Sequence, residues 1–191
     1  MFTKKTIFII PGFNHLPTDK AYKQIVKILK KDGYSPILVN IPWKKATILE
    51  NTKYFLKEYK KINSKNKYIL GFSFGAMIAF IASTKVRSNG LILCSLSPFF
   101  KEDLPVSKIV AKKNKDFYKL RSVSLAKKIK SEQILMMYGA QEARSLIRRA
   151  NDTFNHISSA NKFLFSIYKT EHDIGDKRYL NKIHQAARVL S

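Results

Sequence analysis

Ser73 lies in the stretch Gly71-Phe72-Ser73-Phe74-Gly75, which matches the pattern G-x-S-x-G. A serine hydroxyl is a weak nucleophile until a turn exposes its Oγ and a neighbouring imidazole can take its proton. Glycines two positions to either side are what a sharp strand-to-helix turn needs, because the chain must close on itself without Cβ clashes. The chain has only seven glycines, so two of them flanking one serine carry weight. An ordinary glycine-containing turn is the competing reading. Of the four histidines, His172 falls in Tyr168-Lys169-Thr170-Glu171-His172-Asp173, just after an apolar stretch, and can act as general base. His156 and His184 fall within or near helical patterns, where a solvent-facing histidine is usual. Glu142, reached from the apolar run Ile134–Tyr138 through Gly139-Ala140-Gln141, is the expected acid that orients the imidazole. A surface glutamate opening the next helix is the alternative, with Asp103, Asp116 and Asp152 in reserve. Asp173 adjoins the histidine and is expected to point away from it.

Nucleophilic attack on a carbonyl also needs donors for the oxygen that becomes negative. Pro11-Gly12-Phe13-Asn14-His15 follows the first apolar run, and the backbone N–H groups of Phe13 and Phe74 are the expected pair. Asn14, His15, Phe72 and Phe99 are expected at the substrate, with Phe100 adding to an apolar acyl pocket. Several of these aromatics could equally be core, and His15 could be a loop histidine with no role.

These residues are useful only if the chain presents them at one edge. Thr6–Ile10, Ser35–Asn40, Tyr68–Gly71, Gly90–Ser95, Ile134–Tyr138 and Lys162–Ile167 read as strands, being short apolar or β-branched runs bounded by Gly, Pro, Asn or Ser. Helical spacing of apolar residues covers Asp19–Lys31, Thr47–Lys60, Phe74–Thr84, Arg144–Phe154 and Lys177–Leu190. Strict alternation predicts an α/β three-layer sandwich with a six-stranded, mostly parallel sheet, since each parallel crossover needs a helix to return the chain. Ligands then bind beyond the carboxyl ends of the strands, where Phe13, Ser73, Glu142 and His172 all fall. From Leu96 to Lys130 the alternation fades, which predicts a cap-like insertion in one domain spanning residues 1–191.

Composition narrows the field. Hydrophobic residues make up 45% and charged residues 26% of the 191, as in a folded globular chain and unlike a disordered one. The single cysteine, Cys94, sits in an apolar run and cannot form an internal disulfide, which fits a reducing, cytoplasmic setting. The apolar run Ile7–Ile10 is too short for a signal sequence, and no stretch approaches the ~20 residues of a membrane span. No Cys/His cluster offers a zinc site, and neither a metal nor an organic cofactor is expected. The formal charge of +23 suggests a polyanionic partner or an anionic substrate. Yet the lysines are spread over nearly every element, as a compositional drift would also give; the densest stretch is Lys101–Lys130.

On the Ser73 pentapeptide, the loop at Phe13, and the order Ser73, Glu142, His172, the chain resembles the α/β-hydrolase superfamily, in a minimal form lacking the first two of the usual eight strands. The likeness covers most of the chain outside residues 96–130, which occupy the family's variable cap position. It departs in having Pro11 where many members have histidine, and Glu142 where aspartate is commoner. The resemblance implies a serine hydrolase acting on a small-molecule ester or thioester through a Ser73 acyl-enzyme, with an anionic substrate group favoured by a basic cap. Acyl transfer or peptide cleavage on the same three residues, and a non-catalytic protein binding nucleic acid or anionic lipid, are the competing readings.

Overall fold

In the computed structural model, residues 4–43, 46–103 and 115–190 are described. The strands are β1 (Lys5–Ile10), β2 (Tyr34–Leu38), β3 (Asn66–Phe72), β4 (Ser88–Cys94), β5 (Ser131–Gly139) and β6 (Lys162–Ile167). The helices are α1 (Lys20–Lys31), α2 (Ile48–Lys61), α3 (Phe74–Ser83), α4 (Ser122–Ala126), α5 (Arg144–His156) and α6 (Lys177–Val189). All six strands pair in parallel, in the order β2-β1-β3-β4-β5-β6.

A parallel sheet covered on both faces reads as continuous apolar sequence, and Ile7, Phe8, Ile9 and Ile10 of β1 are all fully buried. Alternate residues serve opposite faces. Phe8, Ile10, Ile69, Leu91 and Ile134 pack with α2, α3 and α5, while Ile7, Ile9, Leu70, Ile92 and Leu135 pack with α1 and α6. Pro36 lies within β2 and lacks an N–H, which is tolerated because β2 is the edge of the sheet. Thr47 caps α2 with a capping box: Glu50 N–H donates to its Oγ1, and its own N–H donates to Glu50 Oε2.

Two features of this sheet position the site. Strand order reverses between β1 and β3, and such a switch point leaves a crevice at the carboxyl ends where neither crossover covers the sheet. Register also brings those ends level, pairing Ile10 with Gly71, Phe72 with Cys94, and Gly139 with Ile167. The stretch expected as a cap contains 3-10 turns at Lys101–Asp103 and Lys115–Lys119 and the short helix α4; its residues 104–114 lie outside those described. Arg149 of α5, with its side chain only 3% exposed, anchors this stretch through hydrogen bonds from Nε to both Asp103 oxygens, at 3.1 and 3.0 Å, and from Nη1 to Ser122 Oγ at 2.6 Å. Among the described residues no helix is long and apolar enough to cross a membrane.

Candidate active site

Ser73 is the residue between β3 and α3, and its backbone sits at φ 56, ψ −118. A non-glycine residue held there carries strain on the order of 1–3 kcal/mol, sustained by the packing around it. That packing is backbone on backbone. A Cβ on Gly71 would lie 2.4 Å from the Gly75 carbonyl oxygen, and one on Gly75 would lie 2.2 Å from that of Ile10. The two glycines thus let β3, α3 and the end of β1 meet at distances no larger residue allows. The Ser73 N–H donates to the Cys94 carbonyl at 2.9 Å, tying the turn to β4. Helix α3 is apolar all round and buried from Gly75 to Ser83, so the turn is anchored deep in the core.

The loop after β6 carries His172, whose Nε2 lies 3.0 Å from Ser73 Oγ. Below the imidazole is Phe72, with ring centroids 4.8 Å apart and planes inclined by 32°. The loop after β5 carries Glu142, whose side chain is fully buried and whose Oε2 lies 3.6 Å from His172 Nδ1. Gly139 allows these two loops to touch, since a Cβ there would lie 2.2 Å from the Thr170 carbonyl oxygen. Gln141 N–H then donates to that same carbonyl at 2.9 Å. In the tautomer that carries its proton on Nδ1, on the side of Glu142, Nε2 has a lone pair free to accept a hydrogen bond from Ser73 Oγ. Ser97 Oγ lies 3.2 Å from Ser73 Oγ, a second hydroxyl within hydrogen-bond reach of the serine.

The structure brings together Ser73, His172 and Glu142. The rings of Phe13, in the loop after β1, and Phe74, the first residue of α3, have centroids 5.6 Å apart. The Phe74 N–H belongs to the first turn of α3, whose donors have no partner within the helix and whose dipole favours negative charge. Asn14, at φ 61, and His15 border a cavity of about 320 Å³ with Leu16, Asn40, Ile41, Pro42 and Trp43. His15 Nδ1 is engaged by the Tyr22 hydroxyl at 2.9 Å. Phe99 stacks on Phe74 at 4.9 Å and on Phe117 at 5.5 Å, and Trp43 meets Phe13 at 5.7 Å, so the aromatics form a wall beside the serine.

Two aromatic positions differ from expectation, and the acids and histidines set aside in the sequence make their contacts elsewhere. Phe72 is 1% exposed and sealed between His172, His15 and Tyr179, so it supports the histidines and does not stand open to a substrate. Phe100 is core, edge-on to Phe80 at 5.8 Å. Asp103 is committed to Arg149, and Asp173 accepts from Gly175 N–H at 2.7 Å. His184 pairs with Asp32 at 3.0 Å, and His156 Nδ1 meets the Asp152 carbonyl, so both imidazoles contact groups other than Ser73 and Glu142. Ser95, Ser97, Tyr179, Trp43 and Phe117 belong to the site but were not expected there. The two serines stand just past the end of β4, so the strand-end rule that selected His172 would have found them too. Tyr179 shows in the sequence only as an apolar position of a helix.

No family model matches the chain, and no curated protein matches its sequence. Solved structures do. Est1E from Butyrivibrio proteoclasticus is 15% identical with a TM-score of 0.80, covering 98% of this chain and 86% of its own. The fold is that of the α/β hydrolases. A monoacylglycerol lipase from Paleococcus ferrophilus is 13% identical, TM-score 0.77, covering 99% and 96% of the two chains. The α/β-hydrolase domain-containing protein 10 from mouse is 13% identical, TM-score 0.76, covering 100% and 91%. In a further structure, Est1E holds ferulic acid. Within this fold, Ser73, Glu142 and His172 follow three different strands, β3, β5 and β6. Among the described residues no group of three or more His, Cys, Asp or Glu side chains could hold a metal ion.

Proposed function

We propose that this α/β-hydrolase chain is a serine hydrolase of the carboxylesterase or thioesterase type, acting through an acyl-enzyme on Ser73. The observation that carries the reading is the 3.0 Å separation of His172 Nε2 from the Oγ of a serine held at φ 56 in its turn. Ser73 Oγ forms a bond to the carbonyl carbon while its proton passes to His172 Nε2, and the carbonyl oxygen takes the negative charge. The Phe13 and Phe74 N–H groups meet that charge, each worth about 3 kcal/mol in comparable sites. Collapse breaks the bond to the alcohol or thiol, which leaves with the proton from Nε2. Water, deprotonated by the same nitrogen, then releases the acid and restores Ser73. The buried Glu142 carboxylate stabilises the imidazolium formed in each half-reaction.

The aromatic wall of Phe13, Trp43, Phe74, Phe99 and Phe117 favours a neutral apolar or aromatic acyl group, as the ferulic acid held by Est1E also suggests. Exposed Lys101, Lys115 and Lys119 on the cap stretch favour substrates with an added carboxylate or phosphate. Hydrolysis of a p-nitrophenyl ester series by the wild type, with turnover lost in both Ser73→Ala and His172→Ala, tests the reading. A folded wild type that cleaves none of the series defeats it.

A further inference from the structure

Glu142 reaches His172 with one oxygen and is held by the other. Its Oε1 accepts from the Gly139 N–H at 3.0 Å and from the Ser95 hydroxyl at 2.5 Å, while Oε2 has no hydrogen-bond partner among the described residues and faces His172 Nδ1. A carboxylate turns about its last torsion with little resistance. Two donors on a single oxygen therefore decide which way the second oxygen looks. Ser95 is built for this: it is a non-glycine residue at φ 51, its N–H donates to the Met137 carbonyl at 2.8 Å, and its side chain turns to the carboxylate.

The Ser95 hydroxyl has one proton, given to Glu142, so its oxygen accepts from the Tyr179 hydroxyl at 2.7 Å, the nearer of that hydroxyl's two acceptors, the Met137 carbonyl lying at 3.4 Å. Burial pushes the Tyr179 phenol well above its ordinary range, which keeps it a donor. The ring of the same tyrosine meets Phe72 edge-on, with centroids 6.1 Å apart, and Phe72 lies under the His172 imidazole. One side chain thus touches the supports of both partners.

Resting on the reading of Ser73, Glu142 and His172 as a working triad, we propose that Ser95 and Tyr179 are positioning residues that hold Glu142 and His172 in register, with Tyr179 bracing the acid through its hydroxyl and the base through its ring. Neither touches the substrate. Their effect is on the lifetime of the correct carboxylate orientation, and so on kcat with KM left in place.

Ser95→Gly separates this role from a structural one, because glycine accepts the positive φ and eases folding while the hydroxyl is lost. Tyr179→Phe removes only the hydroxyl and Tyr179→Leu removes the ring as well. Hydrolysis of a p-nitrophenyl ester is measured for each, alone and combined with Glu142→Gln, with thermal unfolding as the check on folding. The expected result is a kcat lowered about 10- to 100-fold in Ser95→Gly and Tyr179→Phe at unchanged KM, and further in Tyr179→Leu. With Glu142→Gln already present, Ser95→Gly should cost almost nothing more. Wild-type kcat in folded Ser95→Gly, or the same fold-loss with and without Glu142, overturns the proposal. An inactive wild type fails earlier and overturns the triad reading together with it.

Discussion

The Ser73 corner at the end of β3 and the Glu142 corner at the end of β5 lie two strands apart in the same sheet, yet their side chains are held by different means. At Ser73 the constraint is main chain against main chain: Gly71, Gly75 and the carbonyl oxygen of Ile10 are so close that a methyl group cannot enter. At the Glu142 corner Gly139 also closes main chain on main chain, but the carboxylate itself is turned by hydrogen bonds, from the Gly139 N–H and from the Ser95 hydroxyl with Tyr179 behind it. Steric closure is stiff and holds at any protonation state. A hydrogen-bond chain is directional and more easily disturbed, which suits the role proposed for Glu142 beside His172.

Substitutions can break this contrast or sharpen it. Ser73→Ala should have the largest effect, lowering kcat on the order of 10⁴-fold or more with the melting temperature kept. Arg149→Ala, at neither corner, should cost about 3 kcal/mol in urea unfolding, since it leaves the buried Asp103 carboxylate with only the Phe100 N–H and the more distant Arg148 at 3.9 Å. Gly75→Ala should cost about 3 kcal/mol or more, its Cβ landing on the Ile10 carbonyl oxygen, and should reduce activity and stability together. Ser95→Gly should do the opposite, losing turnover while stability stays within about 1–2 kcal/mol of wild type. A Gly75→Ala protein as stable as wild type would remove the distinction between the corners.

The smallest effect concerns acid. Asp176 caps α6 by accepting from the Arg178 N–H at 2.7 Å, and hydrogen bonds from the Arg178 side chain and backbone hold its carboxyl down at about 2. A carboxyl depressed on folding stabilises the native state above its unfolded value near 3.8, and that contribution is lost as pH falls through about 2. Asp176→Ala should therefore differ from wild type in melting temperature at pH 6, with the gap narrowing toward pH 2.

The same contrast explains what could be read from the chain. Backbone closure demands glycine, so Gly71 and Gly75 mark the turn at Ser73 directly, and the strand-end rule finds Phe13, Glu142 and His172. Strand and helix order follow from apolar periodicity, and the edge position of β2 makes room for Pro36. Hydrogen-bond chains leave no such mark. Ser95 is a serine where its positive φ would suit glycine, and Tyr179, 84 positions along, looks like one more apolar residue of an amphipathic helix. Phe72 was misplaced for a related reason. Side chains alternate across a strand, so the residue before Ser73 points down to support the imidazole, while Phe74 opens the next helix at the aromatic wall.

The most direct measurement of the central claim is covalent capture of the nucleophile. Incubation with a fluorophosphonate followed by peptide mass analysis should find one adduct, on Ser73, formed far more slowly in His172→Ala and absent in Ser73→Ala. A folded wild-type protein that remains unmodified, or that carries the adduct on Ser95 or Ser97 instead, would contradict the account.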